Sequence, residues 1–193
     1  MKKALVILLS VLASLPALAQ QVNFSNKDSA KNINAPIYDV AVGGTKLDGA
    51  AYFAQLVGGA AGTTEGALAA LGAPVNFRTG TAAGYVAANT VTIPGVGYGA
   101  GAVVQMRAWS ANGGATWAAA DAAALANAMV HVGKSALLNI TMPASAVDPN
   151  VPGLVGLASF AVVSVGGNVV IPEPSTMALC LLGAAALLIR RRK

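Results

Sequence analysis

Alternating apolar and polar positions in the middle of the chain predict β-strands. In residues 136–142 the side chains of Leu138, Ile140 and Met142 fall on one face and polar side chains on the other, which is typical of a half-buried strand. Residues 104–108 repeat this alternation. Further strand candidates, rich in β-branched and aromatic residues, are residues 52–57, 75–78, 90–93 and 154–163. Short strands separated by Gly, Pro and Asn predict a mainly β fold, a single antiparallel β-sandwich of the immunoglobulin-like kind.

Two segments depart from this pattern and predict one or two short helices. Residues 117–129 are rich in alanine and contain no glycine or proline, and Thr116 precedes them in the position of a helix cap. Residues 63–71, closed by Gly72, fit either a single helical turn or a loop. The two prolines in residues 146–153 indicate a connector before the last strands.

The N-terminus has the pattern of a secretory signal. Lys2 and Lys3 precede an apolar run of 12 residues at 4–15, and the small residues Ala17 and Ala19 suit signal peptidase. We therefore predict a signal peptide at residues 1–19 with a helical apolar segment, cleaved to leave Gln20 as the first residue. The alternative is an uncleaved N-terminal membrane anchor.

A second apolar run lies at the C-terminus. Residues 176–189 are 14 uncharged residues, which as a helix would span roughly 21 Å against a hydrocarbon core of about 30 Å. That length would also suit a buried core helix. However, the run is apolar on all sides, and the cations that follow it can reach the membrane interface. We therefore predict a short transmembrane helix at 176–189, held with its basic end in the cytoplasm.

The whole tail, residues 171–193, resembles the sorting signal of the PEP-CTERM family of exported bacterial proteins. The resemblance rests on the block Pro172, Glu173, Pro174 and Ser175, on the apolar run, and on the closing cations Arg190, Arg191, Arg192 and Lys193. It implies that an exosortase, a membrane enzyme, processes the tail. The protein would be anchored in the inner membrane as a precursor and then reach the cell surface or the extracellular space. Residues 20–170 would form the exported domain; motifs at 77–80, 104–109 and 114–117 resemble uncharacterised members of the family and imply no activity.

Charge outside the two tails is balanced. The chain carries a net charge of +5, but between Gln20 and Ile171 there are six cations and six anions, scattered singly. Nucleic-acid binding requires clustered cations, so we expect no nucleic-acid partner. Cys180 is the only cysteine and lies in the predicted membrane run, so no disulfide would stabilise the exported domain.

Residues for catalysis or metal binding are sparse. His131 is the only histidine, and a nucleophilic triad would have to combine it with residues such as Ser135 and Asp121, although no serine lies in a G-x-S-x-G motif. One glutamate and five scattered aspartates in the exported part are a weak basis for a glycosidase. Asn26 and its neighbours lack the full ligand series of a calcium loop. We predict no enzyme activity, no metal and no cofactor.

Aromatic residues provide the one candidate for ligand binding. Tyr85, Tyr98, Trp109 and Trp117 lie near loop-like sequence, and exposed aromatic faces stack on sugar rings. Trp109 and Trp117 could therefore form a stacking platform, although large aromatics are more often packed in a core. We predict an exported surface or matrix protein with a structural role. The alternative is a carbohydrate-binding module for the extracellular polysaccharide.

Overall fold

The computed structural model describes residues 19–145 and 147–165. These residues contain twelve β-strands and one α-helix, besides five short 3₁₀ turns. The strands are β1 (Ala19–Phe24), β2 (Lys27–Asp28), β3 (Ile33–Asn34), β4 (Tyr38–Asp39), β5 (Tyr52–Ala60), β6 (Ala69–Ala70), β7 (Val75–Asn76), β8 (Asn89–Pro94), β9 (Gly101–Ser110), β10 (His131–Lys134), β11 (Leu138–Thr141) and β12 (Ala161–Ser164). The helix α1 is Trp117–Ala126. The prediction of a mainly β fold is confirmed.

The largest sheet is built around the long strands β5 and β9. They pair antiparallel over their whole shared length, from Tyr52 opposite Ser110 to Ala60 opposite Ala102. Around them the strand order is β4, β12, β10, β9, β5, β6, with β11 also paired to β9 and β7 to β5. One pair departs from the predicted antiparallel arrangement, because β12 runs parallel to β4. Parallel neighbours need a long connection, and here almost the whole domain lies between the two strands.

The main hydrophobic core lies between this sheet and a ribbon formed by β1 and β8. Val22 of β1 and Ile93 of β8 belong to one buried cluster with Leu56 of β5 and Met106 of β9. Each of these residues has 0% of its surface exposed. The alternation predicted for residues 104–108 and 136–142 places the apolar side chains of β9 and β11 in this cluster, and the strand candidate at residues 90–93 contributes Val91 and Ile93 of β8. The core therefore fixes the register of each strand, because a slip of one residue would turn its apolar side chains outward.

The helix α1 covers the other face of the main sheet. Thr116 caps it as predicted, its side-chain oxygen accepting a hydrogen bond from the backbone N–H of Ala119 at 3.3 Å. Ala120 and Ala124 are buried one turn apart, against Trp109 of β9. The helix ends at Ala126 rather than at the predicted residue 129, because Asn127 is extended and its side chain accepts from the N–H of Met129.

Two other segments form shorter strands than predicted, and a third was left open by the sequence. In residues 154–163 the strand begins only at Ala161, after a turn in which Gly156 has a φ of 87°. In residues 75–78 only Val75 and Asn76 pair with β5. Residues 63–71, for which the sequence left a helical turn or a loop open, form the 3₁₀ turn Glu65–Ala67 followed by β6.

The predicted signal peptide and sorting tail lie outside the described residues, except that Ala19 starts β1. Within the part of the chain that the structure describes, no helix has the length and apolar character needed to cross a bilayer. The predicted cleavage after Ala19 would place the new N-terminus directly on β1.

Candidate functional site

A row of polar side chains crosses the centre of the main sheet on the helix-covered face. Arg107 of β9 lies opposite Gln55 of β5 on one side and Lys134 of β10 on the other. These three positions share a face with the next paired row, Phe53, Trp109 and Val132, because side chains on alternate strand positions point the same way. The apolar row is covered by α1, whereas Arg107 and Lys134 of the polar row line a groove.

Two further elements line this groove. The helix contributes Trp117 and Asp121, and the 3₁₀ turn contributes Glu65 and Gly66. We call this site the polar groove, defined by Glu65, Gly66, Arg107, Trp117, Asp121 and Lys134. Its volume is about 440 Å³, within the range of sites that bind small molecules.

Arg107 is held firmly at the centre of the polar groove. Its Nε donates to the Oε1 of Gln105 at 3.1 Å, and its Nη2 donates to the backbone oxygen of Glu65 at 3.3 Å. The guanidinium carbon also lies 5.2 Å from the ring centre of Trp117, a cation–π distance. Burial lowers the pKa of Arg107, although the nearby carboxylates of Glu65 and Asp121 favour its charged form. The side chain therefore presents its remaining N–H groups in a fixed orientation.

Glu65 and Lys134 pair across the end of the polar groove. The Nζ of Lys134 lies 2.5 Å from the Oε1 of Glu65. Hydrogen bonds from Lys134 and then from Gln105 lower the pKa of Glu65. Because 52% and 39% of the two side chains are exposed, the pair adds little stability by itself. Its clearer effect is to hold the 3₁₀ turn beside the sheet.

The two tryptophans predicted as a stacking platform have different surroundings. Trp109 has 0% exposure, and its indole N–H donates to the backbone oxygen of Gly114 at 2.9 Å. It therefore belongs to the core and has no face on which a sugar ring can stack. Trp117 is half-buried, with its ring edge-on to Trp109 at 6.0 Å between centroids, and it lines the polar groove. Of the other two aromatics, Tyr85 is buried, whereas Tyr98 is half exposed in a separate pocket.

The residues considered for a nucleophilic triad do not bond to one another. The Nδ1 of His131 lies 2.6 Å from Oδ1 of Asp39 on β4. The hydroxyl of Ser135 accepts from the N–H of Met106 and donates to the backbone oxygen of Ala136. Asp121 lies in the polar groove. Each of the three therefore has a different local environment, and the geometry offers no shared proton path among them.

The polar residues near the N-terminus serve the fold. Asn26 is fully buried, and its side chain bonds to the backbone of Ala35, Gly84 and Val86. The carboxylate of Asp28 accepts from two backbone N–H groups of the following 3₁₀ turn. Among the residues that the structure describes, no three His, Cys, Asp or Glu side chains come together in a way that could hold a metal ion.

Sequence reasoning identified Trp117 but missed the groove around it. Glu65 and Lys134 are 69 positions apart in the chain, and only the pairing of β5, β9 and β10 brings them together. The one available signal was Arg107, a charged residue at an inner position of a strand that is apolar on its opposite face. Such a residue must face either solvent or a polar partner.

Comparison with known proteins assigns only the C-terminal segment of the chain. No curated protein matches the chain, and no solved structure does. Residues 170–193 match the family model described as the PEP-CTERM protein-sorting motif. Such a motif indicates an exported protein that passes the membrane and is processed by an exosortase. The chain therefore carries a PEP-CTERM protein-sorting motif at residues 170–193, consistent with an exosortase substrate.

Proposed function

We propose that this protein is an exported, non-enzymatic component of the cell surface or extracellular matrix, released from its membrane anchor by an exosortase. The observation that carries the proposal is the sorting motif at residues 170–193. The exported part, residues 20–170, would be one domain of immunoglobulin-like β-sandwich type with a structural role. The large sheet and the β1–β8 ribbon, which share one core, support this architecture.

The chemistry of the tail explains how an enzyme could recognise it. Proline disfavours helix, so Pro172 and Pro174 would favour an extended peptide whose backbone an enzyme could reach just outside the bilayer. Glu173 is the only charged residue between Asp148 and Arg190 and so offers a single polar contact. The cations from Arg190 to Lys193 would prevent the short apolar segment from slipping through the membrane until processing.

The recognition step is tested by Pro172→Ala combined with Glu173→Ala. We expect the precursor to fold and to remain membrane-bound, because both substitutions lie in the sorting motif at residues 170–193 and leave residues 19–165 unchanged. The matched control is Asp148→Ala with Pro149→Ala, which removes one carboxylate and one proline from an exposed connector of the same chain. Fractionation and intact mass are measured in the native host. Equal release of both variants would contradict the proposal.

Export and anchoring have separate tests. We expect the mature chain to begin at Gln20 or Gln21, so N-terminal sequencing that finds Met1 on membrane-inserted protein would contradict the predicted signal peptide. Replacing the four cations Arg190 to Lys193 with neutral residues should loosen the anchor. Unchanged fractionation and unchanged protease access to the tail would contradict the predicted transmembrane helix.

A carbohydrate-binding module is the second candidate function, and the polar groove favours it. Trp117 lies in this groove beside two cations and two carboxylates. Sugar recognition commonly combines an aromatic surface with polar groups that bind hydroxyls. Pull-down of the full-length protein with the host's extracellular polysaccharide tests this candidate. We expect Trp117→Ala to remain folded and to lose binding, whereas retained binding would exclude the groove as the site.

A further inference from the structure

Several polar groups in the polar groove have no hydrogen-bond partner in the part of the chain that the structure describes. Asp121 is exposed and its carboxylate accepts no hydrogen bond there. The indole N–H of Trp117 likewise has no acceptor, in contrast to that of Trp109, which bonds to Gly114. Arg107 uses Nε and Nη2 for its two hydrogen bonds, which leaves Nη1 free to donate. The groove thus offers both donors and an acceptor to a ligand.

The charges of the polar groove cancel. Arg107 and Lys134 supply two positive charges, and Glu65 and Asp121 supply two negative charges. Lys134 is already paired with Glu65, and the remaining cation, Arg107, is balanced electrostatically by Asp121. An anionic ligand would gain little net attraction here, and the exposed carboxylate of Asp121, which accepts no hydrogen bond from the described residues, would repel it.

A ligand for this groove must therefore be uncharged and must both donate and accept hydrogen bonds. Sugar hydroxyls do both, since each has one donor hydrogen and two acceptor lone pairs. Neighbouring hydroxyls could donate to Asp121 while accepting from Arg107 and from the Trp117 N–H. We propose that the polar groove binds neutral polysaccharide, through hydroxyl groups held between Asp121, Arg107 and the Trp117 indole.

This inference rests on the carbohydrate-binding candidate and adds the class of sugar. Polyuronates are the alternative class among extracellular polysaccharides, and their carboxylates would need surplus cations. The groove has no surplus, because each of its cations is matched by a carboxylate. Neutral and acidic polymers can therefore be distinguished by direct comparison on the same protein.

The test measures binding of full-length protein in detergent to a neutral glucan, a neutral galactan and a polyuronate. Asp121→Ala removes the free acceptor from an exposed helix position, and Trp117→Phe removes the indole N–H while keeping an aromatic ring. Asp48→Ala is the control, because Asp48 is exposed and its side chain makes no capping hydrogen bond. Circular dichroism melts establish that each variant is folded.

We expect binding to at least one neutral polymer, weakened about tenfold or more by Asp121→Ala, since hydrogen bonds to charged groups contribute about 1.5–3 kcal/mol. Trp117→Phe should weaken binding in the same direction, and Asp48→Ala should not change it. Preference for the polyuronate, or full binding by both groove variants, would overturn the inference while leaving carbohydrate binding in place. Absence of binding to all three polymers would overturn the carbohydrate-binding candidate itself, without affecting exosortase sorting.

Discussion

Replacement of Trp109 by alanine is the most direct test of the core beneath α1. Trp109 is the largest fully buried side chain in the described part of the domain. Its ring lies 5.8 Å from that of Phe53 and 6.0 Å from that of Trp117, between centroids. The indole N–H also satisfies the backbone oxygen of Gly114. The substitution would therefore leave a cavity, remove two aromatic contacts and leave a carbonyl without its partner.

The expected loss in the free energy of unfolding is large compared with the total stability of a domain of this size. Truncation of a buried tryptophan to alanine costs about 3 to 5 kcal/mol, out of a total free energy of unfolding of about 5 to 15 kcal/mol. Trp117 is only half-buried, so we expect Trp117→Ala to cost less, about 1 to 2 kcal/mol. Trp109→Phe keeps a ring but loses the hydrogen bond to Gly114, and it should fall between wild type and Trp109→Ala.

Urea denaturation followed by far-UV circular dichroism measures these differences without relying on tryptophan fluorescence. A lower midpoint with an unchanged slope would report lost stability and not a change in the unfolded state. The order of stability should be wild type, Trp117→Ala, then Trp109→Ala. An equal loss for the two alanine variants, or a Trp109→Ala midpoint close to that of wild type, would refute the packing argument.

Three further predictions concern local interactions. Thr116→Ala should destabilise the protein by about 0.5 to 2 kcal/mol, because α1 loses its N-cap. Thr116→Ser keeps a capping hydroxyl, so its melting temperature should lie close to that of wild type. Burial, together with a hydrogen bond to Asp39, raises the pKa of Tyr52 from 10.0 to about 12. The unfolded chain thus loses this phenol proton at lower pH than the native state does. The free energy of unfolding should therefore fall as pH rises from 10 to 12. Asp39→Asn should make this fall in stability smaller. Lys134→Ala should raise the pKa of Glu65 toward its ordinary value, which an NMR titration measures. If the pKa of Glu65 were the same in the variant and in wild type, the ion pair would not form in solution.

Local patterns in the sequence were sufficient to predict several elements of this fold. The alternation in residues 136–142 identified β11, and Thr116 before an alanine-rich run identified the cap and start of α1. In both cases the signal lies within a few neighbouring residues. The end of α1 was predicted three residues too late: Asn127 is already extended, and its side chain accepts a hydrogen bond from the N–H of Met129.

Features that depend on strand pairing could not be predicted in the same way. Gln105 lies on the polar side of the predicted alternation, yet it is only 1% exposed. Its buried amide is satisfied by donating to the backbone oxygen of Ser135, 30 positions away. The contact between His131 and Asp39 spans 92 positions and requires β4, β12 and β10 to be neighbours. The polar groove has the same origin, since its charged residues come from separate elements. Residue types alone do not determine which distant strands become adjacent.

The sorting role is tested most directly by the intact mass of the protein from the native host with and without its exosortase. With the enzyme, we expect a released form that lacks both the signal peptide and the C-terminal apolar segment. Without the enzyme, we expect a membrane-bound form that begins at Gln20 or Gln21 and retains every residue to Lys193. Identical tail-bearing protein in the membrane of both strains would contradict the assignment of this chain as an exosortase substrate.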